Sequence, residues 1–190
     1  MSDDPSPAPP HRARPRVSVY LGASLDLRIA DAAGGLAFLD RYAAIDRDYG
    51  YEPFIETVDA LVIGRRTLDT VLGFGIPWPF GTRREVTCTT RPLPDGLPET
   101  VSSHAGALAP LLTALAADGI HHVYLDGGAL VRQGLQEDVV DALVLTIVPE
   151  TIGAGVALFD ETVPRLAWRL ERHTAFASGT VQLRYERDRT

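Results

Sequence analysis

The chain has 190 residues, 45% of them hydrophobic and 23% charged, with a net charge of −7 at pH 7. That length suits one domain with a sizeable core, and the acidic balance argues against a broad basic surface for nucleic acid. Cys88 is the single cysteine, which excludes an intrachain disulfide and a cysteine-based metal centre.

All 18 basic residues are arginine, and lysine and asparagine are absent. Any bound anion must therefore be held by Arg, His or backbone amides. Residues 2–15 are rich in Pro and Asp, with Arg interspersed and no apolar run. They read as a disordered leader (1–15) rather than a signal peptide or membrane span, with a reducing cytoplasmic location as the default. The folded domain is expected over 16–188.

Residues 17–22 form a β-rich run, followed by a loop that ends in a short extended piece. From 35 to 46, Leu36, Phe38, Leu39, Tyr42 and Ile45 recur at helical spacing. A second helical segment is expected over 48–57, with Pro53 near enough to its start to be tolerated. The continuous apolar run 60–63 fits a strand buried on both faces. Gly64-Arg65-Arg66-Thr67 ends it and opens a short helix over 68–72. Residues 73–81 are too rich in Gly and Pro for regular structure; Trp78 and Phe80 there either wall a pocket or anchor an exposed loop. A strand over 85–89 carries Cys88, read as a buried structural thiol, and a Pro-rich connection runs on to 101.

Leu108, Leu111, Leu112 and Leu115 form the stripe of a helix closed by Gly119. A strand over 120–125 then meets the Gly127-Gly128 turn and a helix over 129–135. A further strand spans 139–148, a turn 153–155, and two alternating stretches, 167–175 and 180–186, make a terminal antiparallel pair. Strands alternating with helices define an α/β domain with a mainly parallel sheet and an antiparallel edge. No internal repeat or second domain is visible.

Ligands of open parallel sheets bind beyond the carboxyl ends of the strands. Three such ends carry anion-binding chemistry. Gly64-Arg65-Arg66-Thr67 offers helix-start amides, two guanidiniums and a hydroxyl. Thr89-Thr90-Arg91 offers two hydroxyls and a guanidinium. Asp126-Gly127-Gly128-Ala129 offers amides at a helix N-terminus, where the dipole favours phosphate. Arg suits phosphate because its planar fork bonds two oxygens at once. His104, His121 and His122 lack metal-ligand spacing, and no metal site is expected.

With Ser24-Leu25-Asp26, the Asp59–Thr67 block, Thr90-Arg91-Pro92, the 126–130 and 140–149 segments, and Gly153-Ala-Gly155 with Leu158-Phe159, the chain resembles the dihydrofolate reductase-like superfamily. Within it, the chain is similar to the group related to the C-terminal reductase domain of the bacterial riboflavin biosynthesis protein. The resemblance covers nearly everything after residue 16. It implies a three-layer α/β/α fold and an NADPH-dependent reductase, with Gly64, Arg65, Arg66, Thr67, Thr90 and Arg91 on the cofactor phosphates. Gly127, Gly128 and Ala129 would lie against the pyrophosphate.

By the same carry-over the substrate acid is Asp48 or Glu52, expected on one face of a single helix, with Thr146 hydrogen-bonded to that acid; an acid-rich helix start explains the same residues. Asp26 is the other candidate, although Leu27 stands where the family pattern has Gly. The Asp-Asp-Pro loop of the riboflavin-pathway reductases has no match in residues 68–72. Pyrimidine reduction of the riboflavin pathway is the first activity implied, dihydrofolate reduction the second, and a binding protein without turnover the rival. A homodimer is implied by family habit and by the unpaired edge of the terminal strands.

Overall fold

The computed structural model describes residues 14–47 and 49–190. Parallel strands β1 (Arg16–Ala23), β3 (Ala60–Gly64), β4 (Arg84–Cys88), β5 (Val101–His104), β6 (His122–Asp126) and β7 (Ala142–Ile147) form most of one sheet. The antiparallel strands β9 (Ala167–Ala175) and β10 (Val181–Asp188) complete it, in the order β5-β4-β3-β6-β1-β7-β10-β9. A separate two-stranded ribbon pairs β2 (Arg28–Asp31) with β8 (Gly155–Ala157).

Alternate side chains of the central strands enter two cores. Val17 and Val19 of β1, with Val62 and Leu125, pack against Leu112 and Leu115 of α4 (Leu108–Ala117) and Leu135 of α5 (Gly128–Gln136). Tyr20, Leu61, Ile63 and Tyr124 point the other way, to Phe54 of α2 (Tyr51–Glu56) and Leu68 of α3 (Arg65–Gly73). α1 (Ala37–Asp46) lies on this second side, where the Leu39 side chain covers Gly22. The fold is therefore three-layered, with a mainly parallel sheet and an antiparallel C-terminal edge, because near-continuous apolar strands need cover on both faces.

Several local features differ from the sequence expectation. The second helix begins at Tyr51, not at 48, because Arg47, Tyr49 and Gly50 have φ of 65°, 52° and 86°. Consecutive left-handed positions cannot continue a right-handed helix. β5 begins at Val101, where the Pro-rich connection stops, and no strand is expected there; its Val-Ser-Ser-His sequence has no apolar alternation. β8 occupies part of the expected turn at 153–155. Arg14 and Pro15, assigned to the leader, join the body: Arg14 forks both oxygens of Asp141, at 2.7 and 2.9 Å. Asp141 also accepts from the Val17 amide and from Arg189. Although burial opposes ionisation, these partners hold its carboxyl below the usual range. The rest of the expected leader lies outside the described residues.

Candidate active site

The carboxyl ends of β1, β3, β4, β5, β6 and β7 open onto a cleft of about 1010 Å³. Adjacent strands β3 and β6 each run directly into a helix there. α3 starts after Gly64 and α5 after Gly127; neither start has a side-chain cap or an acid in its first turn. Two sets of N–H groups thus lack intrahelical acceptors side by side, on the positive ends of two helix dipoles.

The two turns are pressed together. A Cβ on Gly127 would meet Thr67 Oγ1 at 2.9 Å and the Gly64 amide nitrogen at 3.3 Å, and its φ of 106° is one L side chains rarely adopt. Gly128 serves a different contact. A Cβ there would strike Ile29 Cδ1 at 2.5 Å and lie 3.3 Å from Val156 Cγ1, so the β2–β8 ribbon packs onto the start of α5. Arg132 of α5 fastens that ribbon, donating to the Ala157 carbonyl at 2.5 Å and pairing with Asp160 at 2.9 Å.

Gly64, Arg65, Arg66, Thr67, Thr90, Gly127, Gly128 and Ala129 all line this cleft. Arg65 is committed elsewhere, to Asp69 at 2.7 Å and the Pro92 carbonyl at 2.8 Å. Arg91 is not among the lining residues; it lies 3.5 Å from the same Asp69. Exposed Arg66 lines the cleft, and its guanidinium has no partner among the described residues. Cys88 also faces the cleft and is half-buried, its thiol pushed up to about 11 by burial and, secondarily, by Glu137. That state is the protonated, unreactive one.

Among the described residues, the expected acids Glu52 and Asp26 do not line the cleft. Asp48 lies outside the described residues, and α2 begins at Tyr51. Glu52 is exposed in the first turn of α2 and is not among the lining residues. Asp26 is not among the residues that line the cleft. It accepts from Ser24 Oγ at 2.6 Å, the Ile152 amide at 3.1 Å and the Gly153 amide at 2.9 Å. The Ser24 hydroxyl first, then those amides, outweigh desolvation and hold its carboxyl at about 2. Such a group has no proton to give near neutrality, so the structure makes Asp26 a clamp between two loops. Leu27 keeps a left-handed φ of 54° in the adjoining turn, despite its side chain.

Thr146 is buried and reaches the cleft. Its hydroxyl lies 3.0 Å from Gln182 Nε2, which is also 3.0 Å from Tyr20 Oη and from the Tyr49 carbonyl. Gln182 thereby ties β7 and β1 to the α1–α2 connection. No local pattern marks this role, since Gln182 meets Thr146 only through the β10–β7 register.

A different acid does occupy the floor of the cleft. Asp126 ends β6, and burial raises its pKa; the Gly127 amide and the Thr67 and Tyr124 hydroxyls offset this only in part. In the sequence Asp126 marks only the turn, and the signal for a larger role is its place at the carboxyl end of a central strand. Tyr51 stands close to it, its hydroxyl pushed up to about 12 by burial and then by the Asp126 charge. Among the described residues, no group of three or more His, Cys, Asp or Glu is placed to hold a metal, and no helix is long and apolar enough to cross a membrane.

Fold and site together define an α/β protein with its ligand cleft at the carboxyl ends of a mainly parallel sheet. Residues 15–182 match the RibD C-terminal domain family, and the chain belongs to it. The uncharacterized protein YwjB of Bacillus subtilis is 30% identical over 172 residues, covering 89% of this chain and 96% of that one. A protein of Shewanella sp. PV-4 assigned to riboflavin biosynthesis is 32% identical, with a TM-score of 0.83 over 92% of this chain and 99% of its own. Two more distant structures share the fold. The deaminase/5-amino-6-(5-phosphoribosylamino)uracil reductase of Thermotoga maritima has 15% identity and a TM-score of 0.67, over 92% of this chain and 57% of its own. The riboflavin biosynthesis reductase Rib7 of Saccharomyces cerevisiae has 16% identity and a TM-score of 0.60, over 95% and 93%. The chain thus has the fold of the riboflavin-biosynthesis reductases.

Proposed function

We propose that the protein is an NADPH-dependent reductase of a small heterocyclic compound, of the riboflavin-biosynthesis type. The observation that carries this reading is the pair of uncapped helix N-termini on adjacent strands, opening side by side onto one cleft. That donor set fits a dinucleotide's phosphates. The amides of α3 and α5 would hold the pyrophosphate, and Arg66, Thr67 and Thr90 the 2′-phosphate, with Arg65 and Arg91 in support. Gly64, Gly127, Gly128 and Ala129 would let the backbone approach.

When bound, a dihydronicotinamide supplies a hydride to an electrophilic carbon of the substrate and becomes a pyridinium, so the substrate atom paired with that carbon requires a proton. Asp126 is suited to hold that proton, since burial keeps its carboxyl protonated to higher pH than an exposed aspartate. Thr146, fixed by Gln182, orients the substrate from the β7 side.

The test is titration of nicotinamide fluorescence with NADPH and NADH, followed by NADPH oxidation across pterins, pyrimidines and quinones. Preferential NADPH binding with oxidation by one class is the expected result. NADPH binding with no oxidation by any class would favour a ligand-binding protein of the same fold. Absence of NADPH binding would end the reading. A homodimer formed along the outer edge of β9, where Leu170 is exposed, belongs to the same proposal; light scattering reads it directly.

A further inference from the structure

Gln182 meets three oxygens through a single atom. Its Nε2 lies 3.0 Å from Tyr20 Oη, from the Tyr49 carbonyl and from Thr146 Oγ1. A backbone carbonyl can only accept, so the atom facing Tyr49 is the amide nitrogen and not the amide oxygen. The backbone thereby fixes which way round the carboxamide sits. An amide nitrogen has hydrogens to give and no lone pair to receive with. Thr146 Oγ1 is consequently the acceptor of its bond to Gln182. The hydrogen of the Thr146 hydroxyl has to be directed elsewhere.

The strand determines where. Thr146 is 4% exposed and lines the cleft, whereas Gln182 does not line it. Its neighbours on the same face of β7 are Val144 and Val148, and the residue opposite it on β1 is Gly22. None of these side chains holds an acceptor, and Gly22 and Val148 line the cleft beside Thr146. The hydrogen is thus left for what the cleft receives. Two other lining groups have the same polarity. Tyr51 packs on Tyr124 with ring centroids 6.2 Å apart, Asp126 follows Tyr124 on the same face of β6, and burial keeps both Tyr51 and Asp126 protonated to higher pH than usual. A compound that placed a donor against Thr146 would leave a buried hydroxyl hydrogen unpaired, and mismatches of that kind discriminate more sharply than apolar fit does.

We propose that Thr146 is a specificity-determining residue, held as a hydrogen-bond donor by Gln182, and that it selects compounds presenting an acceptor, a carbonyl oxygen or an unprotonated ring nitrogen, to the end of β7. Gln182 is its positioning residue. This rests on the reductase reading for the compound's being a substrate, but not for its binding.

The test is binding of 1-indanone and indole to the full chain, read by ligand-observed NMR. Both are small, uncharged bicyclic compounds; the first carries a carbonyl acceptor and no donor, the second an N–H donor and no lone-pair acceptor. Thr146→Val keeps the side-chain shape and removes the hydroxyl, while Gln182 Nε2 retains Tyr20 and Tyr49. The expected result is that Thr146→Val weakens 1-indanone by about fivefold or more and indole by less than about twofold, and that Thr146→Ser restores 1-indanone. Gln182→Met frees the Thr146 hydroxyl to turn and is expected to bring the two affinities closer together; lost packing alone would weaken both compounds alike. Thermal midpoints verify that the variants fold, and if Thr146→Val does not, the ratio of affinities in Gln182→Met decides. Equal loss of both compounds in Thr146→Val, an unchanged 1-indanone affinity there, an unchanged ratio in Gln182→Met, or failure of 1-indanone to bind the unaltered chain would overturn the proposal. Failure of NADPH to bind, titrated in parallel, would strike the reductase reading alone.

Discussion

Arg66→Ala is the sharpest probe of the cofactor side. Arg65, Arg66 and Arg91 look equivalent in the sequence, but the structure ranks them. Arg65 and Arg91 flank one carboxylate, Asp69, at 2.7 and 3.5 Å, so their charge is partly neutralised before any ligand arrives. Arg66 has no such partner among the described residues and lines the cleft. A charge-assisted hydrogen bond is worth about 1.5–3 kcal/mol; because Arg66 is exposed, the lower end applies, or about tenfold in affinity. The expected result is an NADPH dissociation constant about tenfold higher in Arg66→Ala, with NADH changed by less than about twofold. Arg91→Ala, 62% exposed in its side chain, should shift NADPH by only about twofold. Nicotinamide fluorescence titrations at two ionic strengths check this, and the effect of Arg66→Ala should shrink as salt rises. Equal weakening of NADPH and NADH would place Arg66 on a phosphate common to both; no effect on either would remove it from the site.

Three further outcomes are expected. Glu85 is fully buried with Oε2 unpartnered, and burial raises its pKa, as it does for Asp126. A raised folded-state pKa means the native state binds more protons than the unfolded chain, so stability falls as pH rises from the ordinary carboxylate range through the folded value. Glu85→Gln and Asp126→Asn should therefore both raise the thermal midpoint at pH 7 relative to pH 4, but only Asp126→Asn should depress turnover; equal activity in the two variants would dismiss Asp126 as proton donor. Asp26→Ala should accelerate amide exchange at Ile152 and Gly153 without changing NADPH affinity, and unchanged exchange at both would show that the clamp is dispensable. Leu27→Gly relieves a left-handed leucine worth about 1–2 kcal/mol, against about 0.4–1 kcal/mol of added chain entropy. Chemical denaturation should place it at or above the unaltered chain; a clear loss would mean the Leu27 side chain packs more usefully than its backbone strains.

The parts of the molecule legible from sequence are those in which one residue type has one physical use. Leu61, Val62 and Ile63 form a run that must be covered on both sides, and they are buried on both sides. Gly64 and Gly127 mark strand-to-helix turns because the backbone must swing where a strand ends and a helix starts, and both helices begin there. What escaped depends on partners distant in sequence. Val101 to His104 has no strand pattern of its own; β4 supplies it with a parallel edge. Gln182 acquires its role from the register that sets it opposite Thr146. The break before Tyr51 depends on left-handed Arg47 and Tyr49, residue types that carry no left-handed signal.

The same distinction explains why the proposed cofactor-binding turns are easier to read than the rest of the cleft. The phosphate side is made chiefly of backbone amides at the ends of β3 and β6, and neighbouring parallel strands place those amides whatever side chains lie around them. The other side is made of side chains on α1, at the start of α2 and in an irregular loop, where substitutions alter the surface without disturbing the sheet. Asp126 joins the two: its backbone leads into the Gly127 turn, and its carboxyl meets the Gly127 amide and the Thr67 and Tyr124 hydroxyls, with Tyr51 nearby. A group in that position is fixed by the strand end itself and still lines the cleft. Such a placement suits the proton-holding role proposed for Asp126, since the strand end that carries it also leads into the helix-start turn of α5.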